Sequence, residues 1–447
     1  MRGKADSDDS FSGGSALQVN TIAILLGAFF FLIFIGVPIA YSVLLSAIIT
    51  TFVMGVPLVI VFQNLVKGVN VYPLMAVPLF ILMGELMTRG GITERLVVLS
   101  KALVGWIRGS LAMVNIVASL FFGAIQGSAA ADTASIGAMM IPMMSKDGYD
   151  VDFSTCVTMS SSIEGMLIPP SHNFVLYALA AGNVSIGRLF IAGILPGVLL
   201  AIMLMIYCYF VSIKRQYPLG GKFHVVTAAK AFRDAAPGLA AVLIVVVGVV
   251  GGIFTATEAS AIAVVYSILI GVFVYRKIKF RDLYEIFAHA LKTIAIILIL
   301  TGSSASFSWL VAYLQVPVFV SKFILGMTEN PILILLLVNI FLIFCGMVMD
   351  MASLILITTP ILLPIVMQIG VDPVHFGVIM ILNLGIGLIT PPVGGVLFIG
   401  SAISKLSVGQ LTKSMMPFFL VMLCTLFLLT YIPEFSMFLP RLLLPTY

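Results

Sequence analysis

Charged residues make up only 9% of this 447-residue chain, against 61% hydrophobic ones. That balance cannot cover the surface of a water-soluble globule. The apolar stretches are long and continuous, not alternating segments of about ten residues, which removes a transmembrane β-barrel. Cysteine is nearly absent: Cys156, Cys208, Cys345 and Cys424 stand alone in apolar surroundings without C-x-x-C spacing, and read as packing residues. There is no G-x-x-x-x-G-K-[ST] loop, no H-E-x-x-H and no G-x-S-x-G, so an ATP-driven pump, an intramembrane metalloprotease and a hydrolase all lack support. The net charge of +5 is modest, and nothing points to nucleic-acid binding. What remains is an all-α polytopic membrane protein that is not an enzyme.

Apolar runs able to cross or enter the bilayer lie near 20–54, 56–66, 71–88, 96–106, 110–144, 155–181, 188–213, 237–275, 285–326, 331–368 and 374–432. A crossing needs about 20 residues, so 237–275 holds two helices joined around 251–255. Its flanks agree. Lys214, Arg215, Lys222, Lys230 and Arg233 precede it, and Arg276, Lys277, Lys279 and Arg281 follow it; both clusters are expected in the cytoplasm by the positive-inside bias. The expected organisation is a polar tail over 1–19, a first membrane half over 20–213, a cytoplasmic linker over 214–236 and a second membrane half over 237–447. The tail reads as disordered or as an expression remnant, and it lacks the order of a cleavable signal peptide. Residues 281–292 look amphipathic and suit the cytoplasmic interface. The total comes to ten to twelve crossings plus two re-entrant hairpins.

Two Pro-Pro steps stand out in this apolar background, 222 residues apart: Gly165-Met166-Leu167-Ile168-Pro169-Pro170 and Gly387-Leu388-Ile389-Thr390-Pro391-Pro392. Proline removes a backbone donor and disfavours helix in the residue before it, so each step should break its span. Lipid cannot satisfy the freed groups, and paired breaks in two halves point to a transporter's solute site. Residues 165–189 align without a gap on 387–411, with Gly165, Pro169, Pro170, Ala180, Ser185, Gly187 and Leu189 meeting identical residues. The same offset sets Pro142 on Pro364. Apolar sequences also align by chance, but the fixed spacing of the proline landmarks argues for two structural repeats. Whether they are inverted is open.

The chemistry follows from the ends of the broken helices. Carbonyls at Gly165, Ile168 and Pro169, and at Gly387, Thr390 and Pro391, face the break as the negative ends of arriving helices and suit a hard cation such as Na⁺. Helices leaving the break begin near Ser171, His172 and Asn173, and near Gly394 and Gly395, where unpaired N–H groups favour an anion. Asn173 can donate to a substrate carboxylate; His172 is weak evidence for a proton carrier. The small, polar stretch around Gly127 and Ser128 suits a hairpin tip whose backbone approaches an ion, or a small-residue helix interface. Its counterpart holds Gly346 and Asp350. A carboxylate buried there needs a cation, a donor or a proton, so Asp350 is an ion ligand, a proton site or a helix-end clamp. Glu85, Asp132, Glu164 and Glu258 raise the same question.

On these residues the chain resembles the large membrane subunit of the TRAP (tripartite ATP-independent periplasmic) transporters. The segments that carry the resemblance are Pro78–Leu86, Phe122–Ala129, Gly165–Ser171, Gly251–Ala259 and Gly387–Pro392. The resemblance implies a sodium-driven elevator importer of an organic acid, either a C4-dicarboxylate or sialic acid. It also implies two helical hairpins in a mobile domain, a small four-helix membrane subunit as partner, a periplasmic substrate-binding protein and a bacterial inner-membrane location. Ala129 follows Ser128 where the family often has a second serine, which puts in doubt a hydroxyl ligand there. No block of spans precedes residue 20, so the small subunit is expected as a separate chain. An ion channel, or an organic-anion/Na⁺ symporter without a binding protein, is the alternative.

Overall fold

A computed structural model describes residues 6–444 and builds the chain from helices, with no β-strand among the described residues. Helix α1 (Asp6–Phe34) turns at Gly36 and Pro38 into α2 (Ile39–Val53). Residues 6–19, expected as an irregular tail, continue the α1 backbone. Then come α3 (Val59–Val69) and α4 (Ala76–Arg89), a pair bent by 59°, and α5 (Ile92–Val104). The first module is α6 (Ser110–Gln126), α7 (Ala129–Lys146), α8 (Val151–Ser161), the single turn α9 (Glu164–Leu167), α10 (His172–Ala181) and α11 (Ile186–Lys214). It is followed by α12 (Val225–Val250), α13 (Ala256–Leu269) with a π-helical extension Ile270–Val274, α14 (Phe280–Tyr313) and α15 (Val316–Met327). The second module is α16 (Pro331–Gly346), α17 (Met351–Gln368), α18 (Pro373–Leu388), α19 (Gly395–Ser404) and α20 (Val408–Tyr431), closed by α21 (Glu434–Leu443).

Among the described residues six helices are long and apolar enough to cross a membrane, seven if the bent pair is one span. The shortfall against ten to twelve has a physical reason: broken and hairpin segments come in apolar pieces of 10–17 residues, each too short to cross alone. The expected turn at 251–255 is present. Thr255 caps α13 and takes the Glu258 carboxylate on its own N–H at 2.8 Å, so Glu258 serves a capping box. Residues 281–292 are not a separate interfacial helix. They are the first third of α14, which runs unbroken into the span. The irregular part of the central linker is shorter than expected, because α12 already starts at Val225.

A shift of 222 residues carries the start of α7 onto that of α17, α8 onto α18 and α11 onto α20. The caps recur as well. Ser128 and Asp350 each cap the second arm of a hairpin, and Ser185 and Ser407 each accept the backbone N–H three residues on, at 3.3 Å.

Hydrogen bonds fix how each hairpin enters. The first, α6–α7, has its open end on the basic linker. Gly109 N–H donates to the Pro218 carbonyl at 3.3 Å, and Asp150 accepts from the Tyr217 hydroxyl and the Arg215 guanidinium, each at 2.6 Å. Helix α20, 24 residues and so about 36 Å long, runs past the open ends of both hairpins. Near its start Ser414 donates to Asp152 at 2.6 Å, beside the open end of the first, and at its end Tyr431 donates to the Ile332 carbonyl at 3.1 Å, at the open end of the second. The two hairpins therefore open toward opposite ends of α20, the relation expected of an inverted pair.

The Asp150 knot ties the α7–α8 connection to the linker. The Tyr217 hydroxyl first, then Arg215, hold the Asp150 carboxyl below the ordinary carboxylate range. The contribution of this tie is complete above about pH 4, the unfolded value, and is lost as pH falls through the lowered one. Asp150→Asn is therefore expected to speed hydrogen exchange across 215–224 at neutral pH, whereas wild type holds its protection from pH 7 to 5. With Asp150 half in solvent, the cost to stability stays below about 1 kcal/mol.

Candidate ion and solute site

Each Pro-Pro break lies against the tip of its own hairpin. In the first module α6 ends on Gly127, whose left-handed backbone (φ 62°) reverses the chain, and Ser128 accepts the Ala131 N–H at 3.4 Å to start α7. Opposite, the break runs from Ile168, in extended conformation, through the cis Pro169–Pro170 bond to Ser171. Asn173 bridges the two: its side-chain amide donates to the Gly127 carbonyl at 3.1 Å. That amide, expected to reach for a substrate carboxylate, already has one partner inside the chain.

The second module repeats the meeting with different groups. The Met347 carbonyl, at the end of α16, accepts from the N–H of Val393 at 3.1 Å and of Gly394 at 3.4 Å. Gly394 is therefore no free anion donor; Gly395 stays exposed beside it. The Thr390 hydroxyl donates to the Ile386 carbonyl at 2.6 Å, keeping its own oxygen available to a cation. Asp350 is exposed, contrary to the expectation of a buried acid. It caps α17 through the Ala352 N–H at 2.9 Å and the Ser353 hydroxyl, so of the roles the sequence leaves open the helix-end clamp is the one seen.

Glycines set the closeness of these contacts. A Cβ on Gly123 would lie 1.9 Å from the Gly165 Cα, and one on Gly387 would lie 2.6 Å from the Gly346 Cα. Backbone meets backbone at both places, so nothing else fits.

The modules differ in polarity. In the first, Ser161 donates to Ser119 at 3.0 Å and Ser119 to Asp132 at 3.3 Å. The second Asp132 oxygen, both Glu164 oxygens and the hydroxyls of Thr133 and Ser171 are buried and find no hydrogen-bond partner among the described residues. The corresponding residues of the second module are Phe341, Leu354, Ile355, Ile386 and Val393, with only Asn383 polar. Buried oxygens left open in this way suit a hard cation, because two carboxylates cannot stay ionised there uncompensated. The sequence signal was present, since acids inside apolar helices are rare, but Asp132 and Glu164 do not stand in the repeat that draws attention to the prolines. Glu85 has partners outside this cluster, Arg89 at 3.5 Å and His289 at 3.4 Å.

Compared with known proteins, residues 26–435 match the sequence profile described as the DctM component of the tripartite ATP-independent periplasmic transporter. The chain is 40% identical to the uncharacterised protein YgiK of Salmonella typhimurium over 95% of its own length and 98% of that protein's. It is 38% identical to the isethionate TRAP transporter permease DctMQ of Oleidesulfovibrio alaskensis, covering 94% of this chain and 66% of that longer one. It is 37% identical to the sialic acid TRAP transporter large permease SiaM of Vibrio cholerae, covering 92% and 97%. In fold it is similar to the crystal structure of the YdaH transporter of Alcanivorax borkumensis, with a TM-score of 0.58 at 16% identity over 84% of this chain and 88% of that one.

Proposed function

Since the chain belongs to the DctM family of large TRAP transporter permeases, we propose that it is the sodium-driven membrane subunit of an organic-acid importer in the bacterial inner membrane. The observation that supports this best is the pair of hairpin tips set against Pro-Pro breaks and opening toward opposite ends of α20. Each break offers carbonyls to a cation on its arriving side and a helix start to an anion on its leaving side. The carbonyls at 165–169 and 387–391, with Gly127, Ser128, Gly346 and the Asp350 clamp, hold Na⁺. Asp132 and Glu164 add the oxygens that the first module leaves open. Ser171, His172 and Gly395 face the carboxylate of the solute.

Coupling is an elevator motion, in which the two modules carry the solute past the remaining helices. A small four-helix membrane subunit and a periplasmic binding protein complete the importer. The relatives' names widen the range of solutes to a sulfonate, isethionate, beside sialic acid. The test is uptake into vesicles holding the chain with its small subunit, with binding protein added outside and labelled succinate, sialic acid or isethionate offered. Uptake of one anion that requires both an inward sodium gradient and the binding protein is expected. Flux independent of either removes this reading and leaves a channel or an unassisted symporter.

A further inference from the structure

Away from the breaks, a cleft of about 620 Å³ opens where α5, α12 and the chain following α13 come together. Arg95, Arg233 and Lys277 line it, with Glu94 and Asp234 as the acids. The Arg95 guanidinium sits 3.7 Å above the Tyr275 ring and donates to the Gly91 carbonyl at 2.5 Å. Tyr275 is itself held, its hydroxyl accepting the Gly238 N–H at 3.0 Å and donating to the Asp234 carbonyl at 3.2 Å. The cleft is thus a fixed frame. Arg233 lies 3.8 Å from Asp234, whereas Arg95 and Lys277 have no carboxylate within ion-pair reach among the described residues, which leaves a surplus of positive charge.

The surroundings say which anion fits. The basic clusters at 214–233 and 276–281 put this end of α12 and α13 in the cytoplasm. Helix α5 lies along the same face, because Gly91 at one end abuts Lys277 while Gly109, beyond the other, bonds to Pro218. Directly beside the cations the cleft is walled by exposed apolar side chains, Val98 and Val274, with Phe273 next to them. Cations with apolar neighbours at the edge of membrane-spanning helices form the pattern of a headgroup site, with the charge meeting phosphate and the apolar wall meeting acyl chain.

We propose that this cleft binds the phosphate of an anionic phospholipid on the cytoplasmic leaflet, clamping α5 to α12. The experiment is thermal unfolding of the purified full chain in detergent with added phosphatidylglycerol, phosphatidylcholine or inorganic phosphate. Phosphatidylglycerol is expected to raise the melting temperature by several degrees, phosphatidylcholine much less and inorganic phosphate not at all. In the double variant Lys277→Ala/Arg233→Ala, which removes two exposed side chains, at least half of the phosphatidylglycerol shift disappears. Glu94→Gln, which removes an acid from the wall, enlarges it. Equal shifts with the two lipids, an undiminished shift in the double variant, or no gain in Glu94→Gln each overturn the proposal. If inorganic phosphate alone reproduces the difference between wild type and double variant, the occupant is a soluble phosphate and the lipid assignment fails.

Discussion

Gly123→Val is expected to abolish uptake, and Gly387→Val to do the same in the other module. At Gly123 even the first added carbon would fall 1.9 Å from the Cα of Gly165. The obstructing atoms are backbone, so no rotamer change relieves the clash and the arriving half of the broken helix must move away from the hairpin. Overpacking of ordinary cores costs about 1–3 kcal/mol; here the shift also displaces the carbonyls at 165–169 by an ångström or more. Misplacement on that scale costs roughly 100-fold where geometry governs turnover. Initial uptake rates in vesicles, normalised to reconstituted protein, give the readout. Gly409→Ala is the control: it lies in the first turn of α20 with nothing within 4 Å, and should leave uptake within about twofold, since Ala is the better helix former. Normal uptake by Gly123→Val would show that the close approach of hairpin and break is dispensable.

The second large effect is expected at Asp350, where two substitutions separate two jobs. As the cap of α17 it accepts the Ala352 N–H and the Ser353 hydroxyl, and asparagine caps a helix about as well as aspartate. Asp350→Asn therefore keeps the hairpin while deleting the negative charge nearest the second tip. Its melting temperature should match wild type, while the sodium concentration for half-maximal uptake rises about tenfold, the equivalent of about 1.4 kcal/mol. Asp350→Ala loses the cap as well and adds about 1 kcal/mol of instability. Unchanged sodium activation in Asp350→Asn would confine this residue to capping and move the charge compensation elsewhere, with Asp132 and Glu164 the next acids to neutralise.

The helical class, the two Pro-Pro breaks and the turn at 251–255 could be read from the residues, because proline and glycine act through the backbone and leave their mark in any context. The direction in which each hairpin opens could not. It depends on Asp152 meeting Ser414, 262 residues away, and on Tyr431 reaching Ile332, contacts that no local pattern encodes. The exposure of Asp350 is illegible in the sequence for a related reason. Its apolar neighbours in sequence suggest burial, yet the chain presents it at a surface where it closes a helix end. Asp132 and Glu164 raise the question of a buried acid in the sequence as well, but only the packing of the first module shows their oxygens left without a hydrogen-bond partner.

Helix α14 bears on how such a molecule moves. Its 34 residues make a rod of about 51 Å, well beyond the roughly 30 Å of a hydrocarbon core, and no proline interrupts it. The charged end, with Phe280 and Tyr284 bare, must stand proud of the lipid tails, while α2, α3, α4 and α17 pack along the rod. A tilt applied to the protruding end is delivered at the far one, so this helix has the makings of a lever whose handle lies in the aqueous layer.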